Sequence, residues 1–355
     1  MSKEYTIAVV PGDGIGEEII REGIKILDVA AERYGFKTKY THYPHGADHY
    51  LATGELFPDE VLRECADHDT ILLGAIGDPR IEVGLLERAI IGGIRWKLDL
   101  YINLRPIKLY AEHLCPLKDT KPEDLDILVV RENTESIYVG LGGNFKQGTA
   151  DEVAIAEMIM TRKGIERAVR YAYHAAMKRD RKKLTLVDKA NAIRPQAIWT
   201  RTFEEVGREF PEVEQDHAYI DAACMWLVKN PEAFDVIVVD NIFGDILTDL
   251  GAMLQGGLGI AASGNIHPGG VSMFEPIHGS APKYRGKNVA NPLATIAAVQ
   301  MMLAHLGETE ASATIEGSIA ELLASKQIPD LSARSGLETD EIGDMVVEKM
   351  GQKVG

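Results

Sequence analysis

The stretch Phe234–Leu250, FDVIVVDNIFGDILTDL, changes period halfway along. Val236, Ile237, Val238 and Val239 are consecutive β-branched residues, the pattern of a buried strand. After Asn241 the apolar residues Ile242, Phe243, Ile246, Leu247 and Leu250 recur at helical spacing. That helix carries Asp245 and Asp249 four residues apart on one face, where carboxylates stand about 5–6 Å apart and repel. A divalent, oxygen-seeking cation would relieve the repulsion. A solvated helix flank would serve equally well, and the spacing alone does not choose between the two.

The same switch from strand to helix recurs along the chain. Tyr5–Pro11 reads as a strand, Gly12-Asp13-Gly14-Ile15-Gly16 as a turn, and Ile20, Ile24, Leu27 and Ala31 as one face of the following helix. A strand at 37–43, a helix near Asp59–Ala66 and a strand at Thr70–Ile76 continue the series. Later come a helix over Gly164–Met177, a strand at Leu184–Val187, a helix over Pro195–Phe210 and a strand at Val213–Tyr219. Repeated units of this kind predict an α/β fold with a large, mainly parallel sheet flanked by helices. The glycine turn is spaced G-x-G-x-G, and no acidic residue follows a second strand to take a ribose diol. The ordinary Rossmann assignment is therefore rejected.

Candidate chemistry gathers at element ends. Arg95, Arg105 and Arg131 fall at a helix end, in the extended segment Asn103–Pro106 and at the end of a strand. Three such guanidinium forks suit the carboxylates of an acidic ligand. Lys189 follows the strand Leu184–Val187, at the kind of strand end where α/β proteins place ligands, although a surface loop lysine is the plainer reading. Asp221 opens a helix, where the helix dipole alone accounts for an acid. Residues 272–292 read as a long polar loop, closed by an Asn291-Pro292 helix start.

Composition narrows the function classes. Among 355 residues, 38 Lys plus Arg stand against 54 Asp plus Glu, a net charge of −16, which argues against a general nucleic-acid or anionic-membrane footprint. Three scattered cysteines suggest neither a disulfide framework nor a zinc knuckle. With no signal-peptide pattern and no apolar run of membrane-spanning length, a cytoplasmic location is expected.

PGDGIGEE at 11–18, NLRP at 103–106, RENTESIY at 131–138, VDKAN at 187–191, DNIFGDILTDL at 240–250 and EPIHGSAP at 275–282 occur in this order. Together they resemble the β-decarboxylating dehydrogenase family, which oxidises 3-isopropylmalate, isocitrate, homoisocitrate, tartrate or D-malate. The resemblance implies a first domain from 1–100 plus 255–355 and a second, 101–254, that carries the dimer contacts. It implies Mg²⁺ or Mn²⁺ on Asp245, Asp249 and Asp221, with Asp221 reaching over from the partner of a homodimer. It further implies Arg95, Arg105 and Arg131 as the carboxylate clamp, and Tyr138 and Lys189 as the acid–base pair, Lys189 again from the partner. Ile15, Glu275, His278, Gly279, Ala281 and Asn291 match the cofactor side.

Two positions depart from the usual pattern. Lys283-Tyr284 stands where NAD-using members carry an acid and resembles a pair directed at the 2′-phosphate of NADP. The tail IPDLSARSG at 328–336 resembles the isopropylmalate branch instead, so NAD is expected with NADP possible. Ile90 and Ile91, followed by Gly92 and Gly93, occupy the side-group wall; their apolar face favours the alkyl group of 3-isopropylmalate. Tartrate or D-malate is the alternative, because RENTES is closer to that branch, and homoisocitrate and isocitrate come after it. A regulatory subunit without activity would have lost a clamp arginine, the lysine or an aspartate, and this chain keeps them all.

Overall fold

The computed structural model describes residues 3–351 and divides into two compact units, one of Met1–Leu100, Pro106–Leu125 and Ala252–Gly355, the other of Tyr101–Arg105 and Asp126–Gly251. In the first unit the strands run in the order Lys37–His42, Glu4–Gly12, Thr70–Ala75, Ser272–Pro276, Ala262–Ile266. Neighbours pair parallel except the last two, which are antiparallel. The helix Gly16–Tyr34 buries Ile19, Ile20, Gly23, Ile26, Leu27 and Ala30 on one face and ends at Gly35, whose left-handed backbone directs its N–H to Ala31 O. In the second unit Asp126–Glu132, Val236–Val239, Lys183–Asp188 and Glu214–Tyr219 are all parallel.

Val236–Val239 is fully buried and central in that second sheet, and the helix Asn241–Leu254 follows it directly. The helix Arg162–Met177 starts at Thr161, whose hydroxyl accepts the Gly164 N–H, and buries Ile165, Ala168, Val169, Ala172 and Tyr173. A separate antiparallel hairpin pairs Gly142–Phe145 with Val153–Ala156, and every one of its residues is exposed. Among the described residues, no helix is long and apolar enough to cross a membrane.

The expected polar loop at 272–292 needs correcting. Its first five residues, Ser272–Pro276, form a fully buried strand between Thr70–Ala75 and Ala262–Ile266. Polar residues are tolerated there because their side chains find partners: Ser272 Oγ accepts the His267 N–H at 3.3 Å and Glu275 Oε1 accepts from Asn265 Nδ2 at 2.8 Å. The short helix Ala47–Thr53 also goes unannounced by periodicity.

The glycine turn is built by close approach. Asp13 is buried, with Oδ1 accepting Ala47 N–H at 2.6 Å and Oδ2 accepting Gly77 N–H at 2.8 Å. Gly14 has φ +59°, and a Cβ on it would stand 2.0 Å from Ser280 O, the atom that accepts Ile15 N–H at 2.9 Å. Gly14→Ala is therefore expected to cost about 1–3 kcal/mol, read as a lower urea midpoint at unchanged slope. Gly35→Ala, at positive φ but with open space around it, isolates the backbone share of about 1–2 kcal/mol. Equal losses at both positions would show that the Ser280 contact yields freely.

Candidate active site

In the second unit three elements converge on Asp245. Arg105, within the strand Ile102–Lys108, gives Nε to Asn103 Oδ1 and Nη1 to Thr248 Oγ1, both at 2.6 Å, and holds Nη2 3.4 Å from Asp245 Oδ1. Arg131, near the end of its strand, gives Nε and Nη2 to Asn241 Oδ1 and Nη1 to Asp245 Oδ1 at 2.5 Å. The other Asp245 oxygen accepts the Tyr138 hydroxyl at 2.9 Å. Asp249, one turn on, lies 3.8 Å from Arg105 Nη1 with its side chain 62% exposed. Gly244 makes this possible: a Cβ there would stand 2.6 Å from Arg131 Cγ.

Electrostatics sort these groups by role. Burial, reinforced by the charge and hydrogen bond of Asp245, pushes the Tyr138 phenol up to about 12, so at neutral pH it keeps its proton. Burial raises the Asp249 carboxyl, the neighbouring Asp245 adds to the rise, and Arg105 opposes it. Ser136, two residues before Tyr138, holds φ +70°, a strained backbone of the kind that concentrates at working sites.

Lys189 and Asp221 form a second group. Lys189 leaves the end of Lys183–Asp188 and donates Nζ to Asp221 Oδ1 at 2.5 Å, while its backbone N–H is fixed by Gln196 Oε1 at 2.7 Å. The Lys189 ammonium holds the exposed Asp221 carboxyl below its usual range. Asp221, Asp245 and Asp249 are not drawn into one knot of ligand atoms within this chain; among the described residues only His45, His49 and Glu55 are.

The first unit carries the remaining expected residues. Arg95 Nη2 donates to Glu275 Oε1 at 2.7 Å, and its buried Nε has no hydrogen-bond partner. The segment before it contains a π-helical turn, Arg88–Gly92, an irregularity common near functional sites. Ile90 is fully buried in the core, so of the two expected wall residues only Ile91, half-buried beside it, has surface to offer.

A cavity of about 380 Å³ is walled by Ile15, Gly259, His278, Gly279, Ala281, Tyr284, Ala290, Asn291, Leu331 and Ala333. Ala281 holds φ +41°, and Lys283, exposed at the rim, has its ammonium 4.8 Å from the Tyr284 ring centre. His278 Nδ1 donates to Gly279 O at 3.0 Å, and burial lowers the ring's pKa, so Nε2 is an acceptor. Asn291 Oδ1 accepts Leu293 N–H, leaving Nδ2 as a donor. Both Nε2 of His278 and Nδ2 of Asn291 are buried without partners. Apolar walls with one free acceptor and one free donor fit the face and edge of a purine.

The fold has a large, mainly parallel sheet flanked by helices and is not an ordinary Rossmann unit. Residues 6–346 match the family described as isocitrate/isopropylmalate dehydrogenase. The chain is 47% identical over 357 residues to a 3-isopropylmalate dehydrogenase of Thermobifida fusca, covering 99% of each chain. It is 49% identical over 344 residues to one from Nocardia farcinica, covering 96% of this chain and 98% of that one. The crystal structure of isocitrate dehydrogenase from Methylococcus capsulatus aligns with a TM-score of 0.87 at 34% identity, over 98% of this chain and 100% of that one. The chain belongs to the isocitrate/isopropylmalate dehydrogenase family.

Sequence reasoning passed over Asn103, Asn241, Gly244 and Thr248, which aim the two arginines. The first lies inside the NLRP motif and the others inside DNIFGDILTDL, so the signal was present but attached to its charged neighbours. It also passed over Glu132 and Asp240. Burial pushes Glu132 up to about 7, against hydrogen bonds from Thr134 and Glu135, and pushes Asp240 up to about 6. Folded Glu132 keeps its proton to higher pH than the unfolded chain, so the folded state binds more protons between about pH 4.5 and 7. Stability should fall as pH rises through that window, and Glu132→Gln should flatten the fall in denaturation curves taken at successive pH. An unaltered slope in the variant would mean that Glu132 is ionised throughout.

Proposed function

We propose that this chain is a 3-isopropylmalate dehydrogenase, oxidising and decarboxylating 3-isopropylmalate to 2-oxoisocaproate with reduction of NAD, as in leucine biosynthesis. The observation that carries the reading is the Asp245 constellation, in which two buried arginines, a protonated tyrosine and a second aspartate share one helix face in a chain so similar to enzymes of that name.

Arg105 and Arg131 supply the forks that hold the substrate carboxylates, and Arg95 adds a third guanidinium with a buried unpaired Nε. Asp245 and Asp249, with Asp221 from the partner subunit, offer only oxygen donors, a set that suits Mg²⁺ or Mn²⁺. A bound dinucleotide would supply the acceptor for the hydride of the alcohol carbon, and a divalent cation held by these aspartates would supply the Lewis acidity that favours loss of the β-carboxylate as CO₂. Lys189 first releases its ammonium proton to solvent and then takes the hydroxyl proton as the free amine, and the Asp221 carboxylate beside it steadies the ammonium that re-forms. Tyr138 delivers its proton to the carbon left after decarboxylation; a phenol raised to about 12 keeps that proton until the enolate needs it. His278, Asn291 and Tyr284 receive the adenine, and Glu275 and Ile15 lie toward the nicotinamide. Lys283 is the residue that would favour a 2′-phosphate, so NADP is the minor cofactor.

A homodimer completes the site in this reading. Met225, Trp226 and Val228 on one helix, Ile246 on another, and Phe145, Val153 and Ile155 on the hairpin are exposed apolar side chains in the second unit. Such exposure marks an interaction surface. Lys189 and Asp221, paired with each other at the surface, are the half of a site that a partner would receive.

A spectrophotometric panel crosses 3-isopropylmalate, D-malate, tartrate, isocitrate and homoisocitrate with NAD and NADP in Mg²⁺ or Mn²⁺. The highest kcat/KM is expected for 3-isopropylmalate with NAD; faster turnover of D-malate or tartrate would move the chain to that branch. Tyr138→Phe and Lys189→Ala should each lower kcat by about 10²–10⁴-fold with little change in diacid binding. Mixing Lys189→Ala with Asp249→Asn subunits should restore activity that neither has alone, because one site of the mixed dimer is intact. Verified mixed dimers that stay inactive would place both residues in the same site of one chain.

A further inference from the structure

Away from all of these residues, His45, His49 and Glu55 bring three ligand atoms within 4.8 Å of one another. His45 stands just before the helix Ala47–Thr53, and His49 lies on it. The His45 side chain is 6% exposed, and neither ring nitrogen has a hydrogen-bond partner. Phe57, edge-on at 5.2 Å, and the His49 ring at 4.5 Å hold the imidazole in place. A polar ring buried in this way is costly unless something occupies its lone pair.

The chain then turns back to supply a carboxylate. Gly54, with φ +76°, ends the helix. The Thr53 hydroxyl donates to His49 O at 2.8 Å and accepts Glu55 N–H at 3.0 Å, which folds Glu55 over the helix it has just left. Glu55 Oε1 comes to rest 3.3 Å from His49 Nε2 and 3.5 Å from His45 Nε2. The second of these contacts is not aligned as a hydrogen bond, since His45 Nε2 remains unpartnered. In a tetrahedral site with metal–ligand bonds of about 2.0–2.2 Å, neighbouring ligand atoms are roughly 3.3–3.6 Å apart. Both distances to Glu55 Oε1 fall in that range, and all three ligand atoms lie within 4.8 Å of one another.

We propose that His45 Nε2, His49 Nε2 and Glu55 Oε1 form a second metal site for a Zn²⁺-type ion, separate from the aspartates of the helix Asn241–Leu254. Two imidazoles among three ligands favour zinc and its transition-metal neighbours over Mg²⁺ or Ca²⁺. His49 and Glu55 are 21% and 52% exposed, which leaves the fourth coordination position to water. The ion would brace the helix Ala47–Thr53, whose first N–H is bound by Asp13 of the glycine turn and whose Asp48 is paired at 2.5 Å with Arg285, just beyond the Lys283-Tyr284 pair. Its role is structural support of the cofactor side.

The test uses the untagged full-length protein, stripped with chelator and kept in saturating Mg²⁺ so that the aspartate site is covered. Zn²⁺ is titrated by calorimetry, and thermal unfolding is followed with and without Zn²⁺. The wild type is expected to bind one Zn²⁺ per chain and to melt at higher temperature with it. His49→Gln and Glu55→Gln lie at the surface and should fold normally, yet bind Zn²⁺ about 10–100-fold more weakly and lose the thermal shift. His45→Gln should behave alike if it folds, and the other two variants carry the test if it does not. Failure of the wild type to bind Zn²⁺ in Mg²⁺, or binding by both surface variants as tight as the wild type's, would overturn the proposal.

Discussion

The Asp245 carboxylate is the interaction on which the second unit's chemistry depends. Arg105 and Arg131 are almost completely buried, and two cations in that position require a nearby anion. Asp245 provides it through one oxygen and keeps the other for Tyr138. The same side chain thus balances the clamp, orients the phenol and keeps its hydrogen in place. Asp249 is left more exposed and with a raised pKa, a carboxylate whose environment improves when positive charge arrives. In the proposed reading, the charges that hold this site together are also the ones that would bind its ligands.

What could be read from the chain followed from how local each signal is. Val236–Val239, the helix behind it and the helix Asp59–Ala66 declare themselves through periodicity and adopt the structure expected of them. Ser272–Pro276 and Ala262–Ile266 do not, because their serines, asparagine and glutamate look like loop residues until their partners are known. Glu275 belongs inside a sheet because Asn265, on the neighbouring strand, and Arg95, 180 residues earlier, both meet it. The same limit applied to the site. Charged residues in motifs could be picked out, but Asn103, Asn241 and Thr248 gain meaning only from the arginines they point, and Gly244 only from the side chain that crosses it. His45 and Glu55 are ten residues apart with no motif between them, and a glycine turn and a threonine hydroxyl bring them together.

Specificity has a similarly indirect basis. The Ile90-Ile91-Gly92-Gly93 run suggested a simple apolar wall. The fold commits Ile90 to the core, and the same π-helical turn packs the half-buried Ile91 against it. A buried Gly92, where a Cβ would press on the Trp96 ring at 2.7 Å, makes the turn sensitive to any added side chain. In the 3-isopropylmalate reading proposed above, the side-group wall would depend on backbone shape as much as on its apolar residues.

The position of Ser272–Pro276 in the first sheet also governs how the protein is made. Thr70–Ala75 is an apolar strand, and one of its edges is completed only by residues that leave the ribosome roughly 200 positions later. At ordinary rates of synthesis that edge stays open for about 10–40 s, an interval in which an unpaired apolar strand invites wrong partners. The second unit is almost continuous in sequence and can close during that wait. Nascent chains of this protein should therefore depend on chaperones most while the second half is being translated, when the first sheet still lacks its inner strand.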